Sequence, residues 1–249
     1  MKHFALIGYP LEHSYSKQWF DQQHFPDAAY SLCSMTSLNS LRHWVKAQQI
    51  DGFNVTAPYK QAILPSLDAL APEAEETGAV NCVVIRDDRL VGHNTDAPAF
   101  RQTLETLLNT RFLTLNTAYI LGTGGAARAV AYALKHMGIS YTFVSRTPDK
   151  HPGSIGYTQL SSLQLMPNTL IINATPVGMA PNVSATPWPY ADLLGSRHLC
   201  YDLVYNPPRT RFLTDAEAQG AHICNGLAML ECQARLSWDI WRQEGGRDD

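Results

Sequence analysis

No apolar run in the 249 residues approaches the ~18 needed to span a bilayer. Nor does a basic run stand out: 19 Lys and Arg face 22 Asp and Glu, a net charge of −3. This argues against nucleic acid or an anionic membrane as main partner, because both require clustered cations. The five cysteines, at 33, 82, 200, 224 and 232, include no Cys-x-x-Cys. They read as free thiols of a reducing compartment, and a cytoplasmic chain without leader peptide is expected. Nine histidines supply no His-Glu-x-x-His, so no metal is expected. Repeats and low-complexity segments are absent too. What remains is an ordinary globular composition, 45% hydrophobic and 16% charged, long enough for two domains.

The pattern predicts an α/β protein. In the first hundred residues, strands at 4–8 and 52–56 alternate with a helix over 37–49. Pro58 suits the opening of a second helix through Leu64, and 80–91 reads as a hairpin turning at Asp87-Asp88. A helix over 98–108 buries Phe100, Leu104, Leu107 and Leu108 and is a candidate bridge between domains. Strands at 118–121, 141–144, 170–172 and 199–204 then alternate with helices, which favours a parallel sheet covered on both faces. A last helix runs over 227–241, and 245–249 is expected to fray.

The strand at 118–121 runs straight into Gly122-Thr123-Gly124-Gly125-Ala126-Ala127 and a helix. That context makes a weak glycine pattern a candidate phosphate or dinucleotide site, the competing reading being only a tight turn: one glycine for the turn, the next for backbone approach to a pyrophosphate, then a helix N-terminus with free N–H groups. The end of the following strand chooses the dinucleotide. An NAD site carries an acid there, about 20 residues past the first glycine; this chain has Ser145-Arg146-Thr147 with Lys150 close behind. A guanidinium pairs with a 2′-phosphate that a carboxylate would repel, so NADP is expected. The competing reading of Arg146 is a solvated loop residue.

Polar clusters in the first hundred residues sit where strands end: His13-Ser14-Tyr15-Ser16, Asn54 to Lys60, and Asn81 with Asn94-Thr95-Asp96. Lys60, in the first turn of its helix, is a candidate for proton transfer or a plain surface lysine. Asp96 is either an N-cap or the acid that meets Lys60. Ser14 and Ser16 form either a carboxylate clamp or a helix-opening turn. Gln233 lies on an otherwise apolar helix face, where an amide must be paired with backbone, water or ligand.

Taken in order, these segments resemble the shikimate dehydrogenase family from Gly8 to about Trp241. Asn54-Val55-Thr56-Ala57-Pro58-Tyr59-Lys60 is the most specific match, supported by Gly78-Ala79-Val80-Asn81, Gly92-His93-Asn94-Thr95-Asp96, the glycine loop, Asn173-Ala174-Thr175-Pro176-Val177-Gly178-Met179, Asp202 to Pro207 with Thr210, and Gly226 with Met229-Leu230 and Gln233. The resemblance implies a substrate domain, 1–98 with 225–249, and an inserted Rossmann-type NADP-binding domain, 99–224. It implies Lys60 and Asp96 as the reacting pair, Ser14, Ser16 and Tyr205 at the substrate carboxylate, and Thr56, Asn81 and Gln233 at ring hydroxyls. Gly122, Gly124, Gly125, Ala126, Ser145, Arg146, Thr147, Lys150, Thr175 and the carbonyl of Gly226 would hold NADP. The implied activity is the reversible NADPH-dependent reduction of 3-dehydroshikimate to shikimate, a step of chorismate and aromatic amino-acid biosynthesis, by a monomer or homodimer. Alternatives are an NAD-preferring quinate/shikimate dehydrogenase, an aminoshikimate-pathway dehydrogenase and a non-catalytic sensing module. The chain departs from the family at Lys17, Phe20 and Asp21, where proline and a His-Asn pair are usual, and at Ala99, usually glycine.

Overall fold

The computed structural model describes every residue except 13, 112, 161–164 and 245–249; His13 of the cluster His13-Ser14-Tyr15-Ser16 and the tail read as frayed lie outside it. The chain divides into two compact units, Met1–Ala99 with Leu230–Asp249, and Phe100–Met229.

The first unit holds β1 (Lys2–Gly8), α1 (Tyr15–Gln23), β2 (Ala28–Ser34), α2 (Leu41–Ala47), β3 (Gly52–Val55), α3 (Tyr59–Ala62), β4 (Ala69–Leu70), α4 (Pro72–Thr77), β5 (Cys82–Arg86) and β6 (Arg89–His93). Its sheet, ordered β2-β1-β3-β5-β6-β4, is mixed: β1 runs parallel to β2 and β3, while β5 is antiparallel to both β3 and β6. Side chains alternate across it with period two. Ala5, Ile7, Phe53, Val55 and Val83 join Leu41 and Val45 of α2 in one core. Phe4, Leu6, Cys82 and Val84 join Phe20 and Trp241 in the other. The hairpin turns where expected, with Asp87 and Asp88 at φ 50° and 60°, the left-handed pair that a two-residue hairpin favours.

Two helices are shorter than the pattern predicts. The Ser37 hydroxyl accepts from Asn39 N at 3.2 Å, a local turn that competes with helix, so α2 starts at Leu41. Pro58 occupies the cap position of α3 rather than its first turn, and the helix gives way to a 3₁₀ turn over Leu64–Ser66, where Pro65 has no N–H to continue the ladder.

After α5 (Asp96–Arg111) the second unit holds β7 (Thr117–Leu121), α6 (Gly125–His136), β8 (Ser140–Ser145), β9 (Ile155–Gly156), α7 (Tyr157–Leu160), β10 (Thr169–Asn173), β11 (His198–Asp202), α8 (Arg211–Ala218) and β12 (His222–Cys224), and the chain ends in α9 (Leu227–Glu244). All pairings in this sheet are parallel, in the order β12-β11-β10-β7-β8-β9. That is the doubly wound dinucleotide-binding order, and the winding reverses between β7 and β10. Gly138 follows α6 with φ +72°, the left-handed stop expected of it.

Candidate active site

Strand register gathers the polar residues of the first unit on one sheet edge. Ile7 lies opposite Val55, Asn54 opposite Cys82, and Cys82 opposite His93. Thr56, Asn81 and Asn94 to Asp96, each just beyond a paired residue, therefore emerge together. Val80 N donates to the Lys60 carbonyl at 2.7 Å, bringing α3 to the same edge. There the Lys60 ammonium donates to Asp96 Oδ2 at 2.6 Å, and the two side chains are only 23% and 9% exposed.

The alternative role of Asp96 as helix cap is already filled. Asn94 Oδ1 accepts from Ala97 N at 3.0 Å and its amide donates to the Ala79 carbonyl at 2.8 Å. Asp96 sits one step inside α5, where the positive end of the helix dipole favours a carboxylate. Its charge faces the lysine.

Asn81 and Gln233 also converge, with Asn81 Nδ2 3.4 Å from Gln233 Oε1. Asn81 is braced by Thr95: its Oδ1 accepts from Thr95 N at 2.7 Å and its Nδ2 donates to Thr95 Oγ1 at 2.9 Å. Gln233 Nε2 donates to the Leu230 carbonyl at 2.8 Å, which leaves its second N–H for another partner. Gln233, Ser237 and Trp241 recur every four residues along α9 and form one buried stripe. Trp241 stacks on Phe4 at 4.5 Å and donates to the Val83 carbonyl at 3.0 Å. Ser237 takes a bond from Asn54 Nδ2 at 2.8 Å, and Asn54 Oδ1 accepts from Tyr30 at 2.8 Å. Sequence reasoning assigned no role to Tyr30, Thr95 or Ser237. The one available clue was Ser237, a hydroxyl one turn beyond Gln233 on the same apolar face.

Ser14 opens α1 without using its hydroxyl as a cap. Neither it nor Ser16 bonds to Lys60, Asp96, Asn81 or Gln233 among the described residues. Tyr15 between them donates to Glu231 Oε1 on α9 at 3.1 Å. The unusual residues of α1 compensate one another: Lys17 and Asp21 form an i,i+4 ion pair at 2.5 Å, and Phe20 stacks on Tyr30 at 4.1 Å. Ala99 is fully buried.

In the second unit the glycine loop and the loop after β10 meet at the point where the winding reverses. Gly122 has φ +105°, and a Cβ there would lie 2.8 Å from Thr175 Cγ2, so both conformation and contact require glycine. A Cβ on Gly124 would meet nothing within 4 Å. Gly124 is the cap residue of α6, so this open position lies at a helix N-terminus, whose free N–H groups suit a phosphate. Ser145 is buried at the end of β8, its Oγ accepting from Thr147 N at 3.1 Å. Arg146, Thr147 and Lys150 are exposed, and neither cation has an ion-pair partner among the described residues. This donor set fits a phosphorylated dinucleotide. Thr123 Oγ1 lies 3.2 Å from His151 Nε2, a link between the two cofactor segments that the motif did not reveal.

Thr175 shapes its loop by donating to Asn173 Oδ1 at 2.6 Å, and Asn173 Nδ2 donates in turn to Asp202 Oδ1 at 2.8 Å. Asp202 is fully buried and also accepts from Val204 N at 2.9 Å and Thr210 Oγ1 at 2.6 Å. Tyr205 follows in the same loop, half-buried. An added Cβ on Gly226 would collide with the Leu203 carbonyl, so glycine alone permits that close approach.

Burial pushes the Asp202 carboxyl up to about 6, although the hydrogen bonds from Thr210, Val204 and Asn173 act in the opposite direction. The unfolded chain ionises first as pH rises from about 4. Stabilisation from this group is therefore complete in acid and is lost as pH rises through about 6. The Asp202 carboxyl ¹³C resonance should show a midpoint near 6. A midpoint in the ordinary range near 4 would refute this assignment.

A family model for the shikimate dehydrogenase substrate binding domain matches residues 6–83. A shikimate dehydrogenase (NADP(+)) from Carboxydothermus hydrogenoformans is 36% identical over 95% of this chain and 90% of its own. The crystal structure of shikimate 5-dehydrogenase from Thermus thermophilus, in complex with NADP(H) and shikimate, superposes with a TM-score of 0.82 at 36% identity, over 97% of this chain and 93% of that one. The ligand-free 5-ketofructose reductase of a Gluconobacter strain gives 0.77 at 31% identity, over 96% and 92%. A winding reversal with a glycine loop in one unit, a lysine–aspartate pair in the other, and identity at this level along nearly the whole length make the chain a member of the shikimate dehydrogenase family.

Proposed function

We propose that the protein catalyses the reversible NADPH-dependent reduction of 3-dehydroshikimate to shikimate, with Lys60 and Asp96 as the reacting pair. The observation that carries this reading is the 2.6 Å contact between the Lys60 ammonium and the Asp96 carboxylate, on the sheet edge shared with Asn81 and Gln233.

NADPH, when bound, supplies the hydride that adds to the ketone carbon. The protein's task is to hold the substrate and manage one proton at the ketone oxygen. The Lys60 ammonium has three N–H donors, one directed at Asp96. Another can bond the ketone oxygen and pass its proton to the oxygen as negative charge develops there. Asp96 holds the amine in place and keeps a counter-charge beside it. Ser14, Ser16 and Tyr205 are assigned to the substrate carboxylate, and Thr56, Asn81 and Gln233 to the ring hydroxyls. In the other unit Gly122, Gly124, Gly125, Ala126 and Thr175 are assigned to the pyrophosphate and nicotinamide side, with the Gly226 carbonyl. Ser145, Arg146, Thr147 and Lys150 take the 2′-phosphate. The domain roles follow: Met1–Ala99 with Leu230–Asp249 binds substrate and Phe100–Met229, which includes Gly226, binds NADP.

The five cysteines are free, which supports a reducing, cytoplasmic setting, and among the described residues no helix is long and apolar enough to cross a membrane. Absorbance of NADPH with 3-dehydroshikimate tests the reading, run beside NADH and, in the oxidative direction, with shikimate against quinate. The fastest turnover is expected with shikimate and NADP. Binding of both ligands without turnover would favour a sensing module, and faster rates with NADH would overturn the cofactor assignment.

A further inference from the structure

We infer that the Tyr15–Glu231 hydrogen bond fixes the Ser14–Ser16 turn, which makes Tyr15 and Glu231 positioning residues for the substrate carboxylate. The inference rests on the assignment of Ser14 and Ser16 to that carboxylate.

The turn needs such a tether. It follows the partly exposed segment 9–12, and the Ser14 side chain makes no cap bond to α1. The aromatic anchor of α1, Phe20, is four residues beyond Ser16, roughly 6 Å along the axis. Left to itself, the first turn of α1 would fray. Tyr15 instead reaches Glu231 Oε1 at 3.1 Å, across 216 residues of sequence.

Glu231 is a firm attachment point because α9 is itself fixed. Trp241 stacks on Phe4, and Ser237 is held by Asn54 at 2.8 Å. Two residues past Glu231 lies Gln233, whose amide approaches Asn81 at 3.4 Å. The bond thus joins the hydroxyls that receive one end of the substrate to the helix bearing an amide for its ring. Ordering done before binding is not charged against affinity.

The test is steady-state kinetics with shikimate and NADP⁺ on Y15F, E231Q, E231L and the double variant Y15F/E231L. One hydrogen bond of this kind corresponds to about five- to tenfold in affinity. Y15F and E231L should each raise the KM for shikimate by about that factor, with kcat and the KM for NADP⁺ unchanged. E231Q keeps an acceptor and should stay near the parent value. The double variant should be no worse than E231L alone, because both residues act through one bond. Unmoved KM in Y15F and E231L, additive losses in the double variant, or an equal rise in KM for NADP⁺ would overturn the inference. If Y15F does not fold, E231L and E231Q on the half-exposed position decide. An inactive parent enzyme, by contrast, would count against the proposed activity and not against this bond, which shikimate titration by tryptophan fluorescence would then read in the same variants.

Discussion

Replacing Lys60 with alanine is expected to lower kcat for NADPH-dependent reduction by about a hundred- to ten-thousandfold, while the KM for 3-dehydroshikimate moves by less than about fivefold. The asymmetry follows from timing. The ketone oxygen of the bound substrate carries little charge, so the ammonium contributes modestly to the ground state; the alkoxide forms only as hydride arrives. Removing the amine also leaves the Asp96 carboxylate, with its side chain 9% exposed, without its counter-charge. That carboxylate would then repel the developing alkoxide, which deepens the loss in turnover. Because Asp96 acts through Lys60, K60A/D96N should be no slower than K60A alone. Single-turnover rates with both variants, together with circular dichroism to confirm folding, check this. Near-normal turnover in K60A would remove the lysine from the chemistry.

Four of the six strands of the second unit could be read from the sequence, because a parallel sheet buried on both faces writes itself as short apolar runs punctuated by glycines with one geometric purpose; the short edge strands β9 and β12 carry no such run. Gly122 and Gly138 were placed correctly for that reason. The first unit was harder. β2 is an edge strand with only Tyr30 buried, so it carries no run to detect, and α4 is a short helix of six residues that begins at Pro72. Chemistry showed the same division. Lys60, Asp96 and Asn81 come from strand ends, which are visible locally. The pairing that makes them a site is a matter of register, Cys82 standing opposite both Asn54 and His93, and register is not written in any one segment. Glu231, 216 residues from the tyrosine it holds, could not be found by spacing at all, and Ser237 offered only its place one turn beyond Gln233. The Asp96 ambiguity was resolved by Asn94, a neighbour that takes the capping role and frees the carboxylate.

Arg146→Glu should reduce kcat/KM with NADPH by about a hundredfold and leave or raise the value with NADH, so that the preference inverts. The physical argument begins with exposure. Arg146 stands in solvent just past β8 with no ion pair among the described residues, so its replacement should not disturb the fold. A 2′-phosphate offers two or three oxygens to a planar guanidinium; glutamate would meet the same group with like charge. Against the free ribose hydroxyls of NADH the carboxylate is instead an acceptor of the kind NAD sites place at this strand end. Lys150 and the Thr147 amide stay in place and preserve part of the phosphate affinity, which is why the loss is put at about two orders of magnitude and not more. If Arg146 were only a solvated loop residue, both cofactors would change little and in step. Parallel kcat/KM measurements with the two cofactors separate the two outcomes. A uniform, small change would transfer the choice of dinucleotide to Lys150 or to the Thr123–His151 link at 3.2 Å.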